Sequence, residues 1–417
     1  MNILFIHQNF PGQYKHLAPA LVKRGHNVHA IGMSGFQSQA GITFHRYKNA
    51  RGTTHNAHPW VIDYEAKIIR GEACANLCMQ LKQDGFEPDV ICAHPGWGET
   101  LFLKEVWPDA KQLHFVEFYY GSTGRDVDFD PEFSKLDFAG KCRLTSKNTN
   151  NLLNLQMMDA GVSPTYWQHS TVPEAFQGKI SVVHDGINTA QLCPDKSVSL
   201  NIRDVDGQAV HLTQKDQIIT FVNRNLEPSR GYHSFMRALP QIQQDNPNAK
   251  VLIIGGDGVS YGKKPDKGTW KQQFLDEVKS DLDLSRIHFL GKVPYDVYIN
   301  AIRLSSCHVY LTSPFVLSWS MLESMSLGAP ILGSSTQPVV EVIEHEKNGW
   351  LVDFFNYENI AKMTTHILSL SDDEIARVTT QARKTVIEKY DLDLVCLPKH
   401  IELVEGLVTD AKPINHH

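Results

Sequence analysis

Short apolar runs alternate with longer amphipathic stretches along nearly the whole chain, and the alternation starts twice. In the first half it predicts strands at Ile3–His7, Val28–Gly32, Asp89–Ala93, His114–Phe118 and Ile180–Val183. Between the first two, Tyr14–Arg24 reads as a helix closed by Gly25, which can take the left-handed conformation that ends many helices. The pattern restarts at Ile218–Val222 and continues through Val251–Ile254, Ile287–Leu290, Val309–Leu311, Pro330–Leu332 and Gly349–Val352. Strands apolar on both faces need cover on both faces, so each half predicts a parallel sheet wrapped by helices. The looser stretch His184–Gln217, with its D-G-I-N and C-P-D turn signals, holds the change of domain, and the linker is placed at Cys193–Asp206. Asp373–Leu407 reads as helices after the second sheet has closed. The expected division is 1–195, 206–385 and a C-terminal helix in 386–412.

Length agrees, because 417 residues are too many for one ordinary core and fit two domains of roughly 200 residues. A net charge of −6 with no basic block gives nucleic acid no footing as a partner. Seven cysteines, an odd number with no C-x-x-C pair, read as reduced thiols and point to the cytoplasm. The chain enters a strand at once, M-N-I-L-F-I-H, with no secretory leader expected, and no apolar run approaches the roughly 20 residues that span a bilayer. Peripheral association with the inner face of a membrane stays open. The final His416 and His417 are set aside as a tag remnant.

The richest stretch is Thr312–Pro330, T-S-P-F-V-L-S-W-S-M-L-E-S-M-S-L-G-A-P. A strand leads through a polar loop into a helix that carries Glu323 about one turn in and stops at Gly328 and Pro330. Free amides and the positive dipole end at such a helix start suit a phosphate, and an ionised carboxylate suits the vicinal diol of a ribose. A lone glutamate is more often a solvated surface acid. Here the neighbours Trp319, Met321, Leu322 and Met325 make an acid costly without a partner. Arg224 and Arg230, near the end of the restarted first strand, suit a diphosphate, although surface arginines are the plain alternative.

Other constellations sit at strand ends. Gly12 precedes a helix in H-Q-N-F-P-G-Q-Y, and Gly256 and Asp257 lie in G-G-D-G, both weak signals alone. Val293 ends a turn whose backbone can read a base edge. In A-H-P-G-W-G-E, His94, Trp97 and Glu99 bracket two glycines, and a satisfied loop histidine competes with one that contacts sugar or acceptor. Glu117, Tyr119 and the alternating Asp126, Asp128 and Asp130 are read as a polar loop lining the acceptor site. The acids lack the glycine and distal glutamate of a calcium loop.

With these motifs assembled, the chain resembles the retaining glycosyltransferases of family 4, which have the GT-B fold. The resemblance runs over nearly the whole chain and rests on A-H-P-G-W-G-E, V-V-H-D-G-I-N, the N-R…S-R-G pair and above all L-E-S-M-S-L-G-A-P. It implies two Rossmann-like domains facing a central cleft, with a C-terminal helix crossing back to the first. It also implies transfer of a sugar from a nucleotide diphosphate-sugar, UDP-sugar favoured over GDP-sugar, to an acceptor hydroxyl. Polysaccharide or glycoconjugate synthesis is the expected setting. By resemblance His94 lies near the reacting carbon, and Arg224 and Arg230 grip the diphosphate, Arg230 standing where the family has a lysine. Leu317, Ser318, Trp319 and Ser320 present amides to the donor, and Glu323 holds the ribose. Gly12, Gly256, Asp257 and Val293 are assigned to the donor side, and Trp97, Glu99, Glu117 and Tyr119 to the acceptor side. The acceptor is a sugar, a lipid-linked molecule or a protein, and no metal or other cofactor is expected. Phe315 replaces the first of the family's two glutamates, which contacts the transferred sugar. Two competing readings remain, a sugar-nucleotide epimerase or hydrolase of similar fold and a non-catalytic sugar-nucleotide-binding protein. A NAD-dependent oxidoreductase fits poorly, because neither first strand carries G-x-G-x-x-G.

Overall fold

The computed structural model describes residues 1–35, 39–204, 207–260 and 262–409. Asp206, Tyr261 and the last residues of the 386–412 segment therefore lie outside the described residues. The chain forms two compact units. Unit 1 holds 1–128, 136–186 and 393–417, and unit 2 holds 129–135 and 187–392. No helix among the described residues is long and apolar enough to cross a membrane.

Unit 1 contains β1 (Asn2–Ile6), β2 (Asn27–Gly32), β3 (Ile42–Arg46), β4 (Val90–Ala93), β5 (Lys111–Phe115), β6 (Ala160–Ser163) and β7 (Ile180–Val182). They form one parallel sheet in the order β3-β2-β1-β4-β5-β6-β7. The order reverses between β1 and β4, and ligands in such sheets bind at the carboxyl ends of strands at that point. Ile3 and Phe5 of β1 enter one apolar layer and Leu4 and Ile6 the opposite one, the alternation a strand imposes. Leu397, Ile401 and Val404 of the C-terminal helix Leu397–Gly406 pack into the Ile3 layer. Arg24 and His26 both reach Glu405 of that helix, at 2.7 and 2.9 Å.

Unit 2 begins with an antiparallel pair, β8 (Leu200–Arg203) and β9 (Ala209–Leu212), in the region expected to be a linker. Leu200, Ile202 and Leu212 bury their side chains in the unit's core, so the stretch has structure of its own. The main sheet has β10 (Ile218–Asn225), β11 (Lys250–Gly256), β12 (Ile287–Gly291), β13 (Cys307–Tyr310), β14 (Ile331–Ser334) and β15 (Trp350–Val352). Its order, β12-β11-β10-β13-β14-β15, reverses between β10 and β13. All seven cysteines are free thiols.

Residues 129–135 belong to unit 2 although the chain on either side belongs to unit 1. Phe133 packs edge-on against His233, Trp270 and Phe274. The buried Asp130 carboxylate lies 3.2 Å from His233 Nε2, and Arg237 bridges Glu132 and Glu277. Asp130 is thus tied into unit 2 and does not line an acceptor loop.

Candidate active site

In unit 1, His7 follows β1 and His94 follows β4, which puts both imidazoles at the reversal point. Their ring centroids are 5.5 Å apart, and Trp97 stacks on His94 at 4.3 Å. The Asn9 amide donates to His7 Nδ1, so His7 Nε2 carries the proton and donates to Gln13 Oε1 at 2.8 Å. Gly12 makes room for this ring: its φ is +48°, and a Cβ there would stand 2.3 Å from His7 Nε2. Gly12 thus serves the packing of His7.

His94 Nδ1 accepts from the Gly96 amide, leaving its protonated Nε2 buried without a hydrogen-bond partner, 3.7 Å from Glu117 Oε2. A buried donor in that state costs roughly 1–3 kcal/mol unless a ligand meets it. Burial first, then the neighbouring His7, lowers the His94 pKa to about 3, so the ring is a neutral donor at pH 7. Burial raises Glu117 to about 6.

His94, Trp97, Glu117 and Tyr119 all line one cavity of about 330 Å³ inside unit 1, a size ordinary for small-molecule sites. Glu99 does not. Gly98, at φ +103°, lies against the Lys67 backbone so closely that a Cβ would stand 2.3 Å from the Lys67 carbonyl oxygen. The turn it makes precedes Glu99, whose side chain is fully buried and accepts from Tyr47 Oη at 2.6 Å. Burial pushes its carboxyl up. The acceptor-side expectation for Glu99 is therefore corrected: it is a core acid.

In unit 2 the β10–β13 reversal is cationic. Arg230 Nη1 donates to Thr312 Oγ1 at 2.6 Å, just past β13, and to the Val316 carbonyl at 3.4 Å. Gly231 (φ +68°) packs on Leu311, where a Cβ would stand 2.3 Å from the leucine Cβ, and so brings Arg230 against that loop. Arg224, near the end of β10, is exposed and its guanidinium makes no hydrogen bond or ion pair among the described residues.

The helix Trp319–Ser326 is capped by Ser318, whose hydroxyl accepts from the Ser320 amide. The Ser318 amide donates to Tyr310 Oη at 3.0 Å, so two of the four amides expected to face the donor already have partners within the chain. Leu317 is buried in the core, while Trp319 is 44% exposed. Glu323 accepts from Tyr295 Oη at 2.7 Å and from Tyr298 Oη at 2.9 Å. The partner that an acid in this setting requires is thus a tyrosine pair from the helix Tyr295–Arg303. Val293, just before that helix, packs on the same core cluster as Leu317 and Tyr298. Gly256 ends β11, with room for no side chain between Lys292 and Asn225, and Asp257 lies 3.8 Å from Lys271. Phe315 is buried.

Residues 24–192 match the model of the glycosyl transferase family 4 group, and residues 205–385 match that of glycosyl transferases group 1. The chain belongs to these glycosyltransferase families. An uncharacterized glycosyltransferase of Methanocaldococcus jannaschii is 28% identical over 223 residues, 52% of this chain and 52% of its own. A putative glycosyltransferase of Bacillus subtilis, YtcC, is 24% identical over 226 residues, 51% of each. The match thus spans about half the length of these curated relatives. Among solved structures, sucrose-phosphate synthase from Thermosynechococcus elongatus has a TM-score of 0.72 at 15% identity, covering 99% of this chain and 100% of that one. The Anabaena protein HepE, solved with UDP-glucose, has 0.63 at 14%, with the same coverage. These last two establish the fold alone, a pair of Rossmann-like sheets of the GT-B group.

The family motifs left several neighbours of the site unmarked. His7 stands in the quoted H-Q-N-F-P-G-Q-Y turn, where only its glycine drew notice. Tyr295 and Tyr298 are spaced i and i+3 on one helix face, a pattern that reads as packing until Glu323 is placed beside them. Lys67, Arg70 and Lys147 line the unit 1 cavity and carried no sequence signal at all.

Proposed function

We propose that the chain transfers a sugar from a nucleotide diphosphate-sugar, with UDP as the nucleotide, to an acceptor hydroxyl, retaining the anomeric configuration. In that reaction the bond from the anomeric carbon to the diphosphate oxygen breaks and its electron pair leaves with the diphosphate. The acceptor oxygen forms the new bond, and its proton passes to the departing diphosphate. The observation that carries the reading is Glu323, a carboxylate held by two tyrosines on the helix that follows the Arg230-anchored loop. A ribose diol replaces Tyr295, which is 56% exposed, while Tyr298 keeps the carboxylate aimed. Arg224 and Arg230 neutralise the leaving diphosphate, and the transfer runs without a bound metal ion. His94 offers its free Nε2–H to a hydroxyl of the transferred sugar. HepE, which has the same fold and was solved both with UDP and with UDP-glucose, supports UDP as the nucleotide.

Thermal shift with UDP, GDP and ADP tests this, since a ligand that binds only the folded state raises the melting temperature. UDP is expected to give the largest shift, and Glu323→Gln to reduce it while the unliganded melt is kept. No shift with any nucleotide would sink the donor assignment. Phe315 favours a second reading, a sugar-nucleotide binder without turnover, because a buried phenyl cannot contact sugar hydroxyls by hydrogen bonds. Release of UDP in the presence of acceptor distinguishes the two.

A further inference from the structure

The cavity in unit 1 has a pole that the transfer mechanism does not use. Asp63, Lys67 and Arg70 lie along one face of the helix Ile62–Gln83, and Lys147 and Asn151 lie one turn apart on the helix Phe138–Met157. Lys67 is 8% exposed, yet its ammonium makes no hydrogen bond or ion pair among the described residues. Arg70 has only two long contacts, 3.4 Å each, to the carbonyls of Ala66 and Trp97, and its Nε is buried without a partner. Lys147 Nζ sits 3.6 Å from the centre of the Tyr120 ring and likewise forms no ion pair. Of the carboxylates nearby, Asp63 is exposed and neither it nor Asp126 forms an ion pair with these cations. Both act on Lys147 only at longer range, Asp63 acts likewise on Lys67, and Glu117 lies at the cavity's other end.

Burying a cation is costly unless an anion meets it. At Lys67, burial, followed by repulsion from Lys147, lowers the pKa to about 8. Three cations lining one preformed cavity, none of them in an ion pair and one, Arg70, with a buried Nε that has no partner, make an oxyanion site.

We propose that the acceptor substrate carries a phosphate or carboxylate group, which Lys67, Arg70 and Lys147 seat in this cavity. The proposal rests on the transferase reading, because it names the chemical class of that reaction's acceptor. The group fixes one end of the acceptor, and the cavity's other end, at His94 and Glu117, receives the hydroxyl-bearing part.

Calorimetric titration of the full chain with glycerol 3-phosphate, glycerate and glycerol, with and without saturating UDP, tests it. At least one of the two anions is expected to bind ten or more times tighter than glycerol, and the comparison between them shows whether phosphate or carboxylate is preferred. Lys67→Met, which keeps length but removes charge, is expected to weaken the anion about tenfold and to leave UDP affinity alone. Equal binding of glycerol and both anions overturns the proposal, as does unchanged anion affinity in a folded Lys67→Met. If that variant does not fold, the partly exposed Lys147→Gln decides by the same criterion. UDP is titrated into the same samples. Its failure to bind the parent protein would count against the donor site while leaving the anion result standing.

Discussion

The two sheets reverse their strand order at equivalent places, yet the chemistry at the two reversal points is opposite. In unit 1 the point holds neutral rings, His7 and His94 with Trp97, packed so closely that Gly12 and Gly96 must lack side chains. In unit 2 it holds arginines, one exposed and one bonded to the loop after β13. One topology thus offers a desolvated, uncharged donor in one unit and a cationic cradle in the other. The sheet places a ligand, and the residues just past its strand ends decide what kind.

Removing the cationic side should produce the largest effect. Arg230→Ala loses charge at the diphosphate and the tether to Thr312, and sugar transfer is expected to fall about 100- to 1000-fold in steady-state assays. Arg230→Lys should recover part of it. A fall below about threefold would mean that the unit 2 reversal point does not carry the leaving group.

The ring side should break through packing. Gly12→Ala puts a methyl against His7 at an unfavourable φ, so a loss of about 2–3 kcal/mol is expected, seen as a melting temperature lower by about 4–10 °C. An unchanged melt would show that the His7 ring moves freely.

The smallest effect is a pH dependence. Glycerate keeps its charge above about pH 5, so between pH 7 and 9 the anion site changes chiefly through Lys67, whose lowered pKa is about 8. Arg70, Lys147 and Asp63 face it, and burial lowers the Lys147 pKa as well, so a contribution from that ammonium runs in the same direction. The Lys67 ammonium is present below its pKa and lost above it, so glycerate affinity is expected to fall roughly tenfold from pH 7 to pH 9. UDP binding in unit 2 should not follow that curve. Parallel curves would erase the contrast between the units.

Much of this was legible in the sequence wherever a strand is purely apolar. β1, β10 and β11 stand within a few residues of their expected places because their central runs are apolar apart from Thr220 of β10, whose hydroxyl is bonded to Ser305 and His308. β5 runs Lys111–Phe115 instead of His114–Phe118, since Gln112 and His114 bond each other at 2.9 Å and become acceptable in the core. Val116 and Phe118 lie past its end, and Glu117 between them lines the cavity. β3 escaped notice because it is a half-exposed edge strand, and β6 because A-G-V-S is short and small. Within the site, the glycine-flanked histidine and Glu323 announced themselves through local chemistry. Lys67 and Lys147 could not, since each sits on a polar helix face and they meet only when helices some eighty residues apart line the same cavity.

Residues 129–135 set a condition on dissecting the protein. A fragment cut at residue 187 would contain every strand of unit 2 but would leave the faces of His233, Trp270 and Phe274 uncovered and Arg237 with one acid instead of two. A chimera that exchanges second halves between relatives at the domain junction would inherit this heptapeptide from the wrong parent. Such hybrids need the plug to travel with the half it completes, or to be supplied in trans as a synthetic peptide.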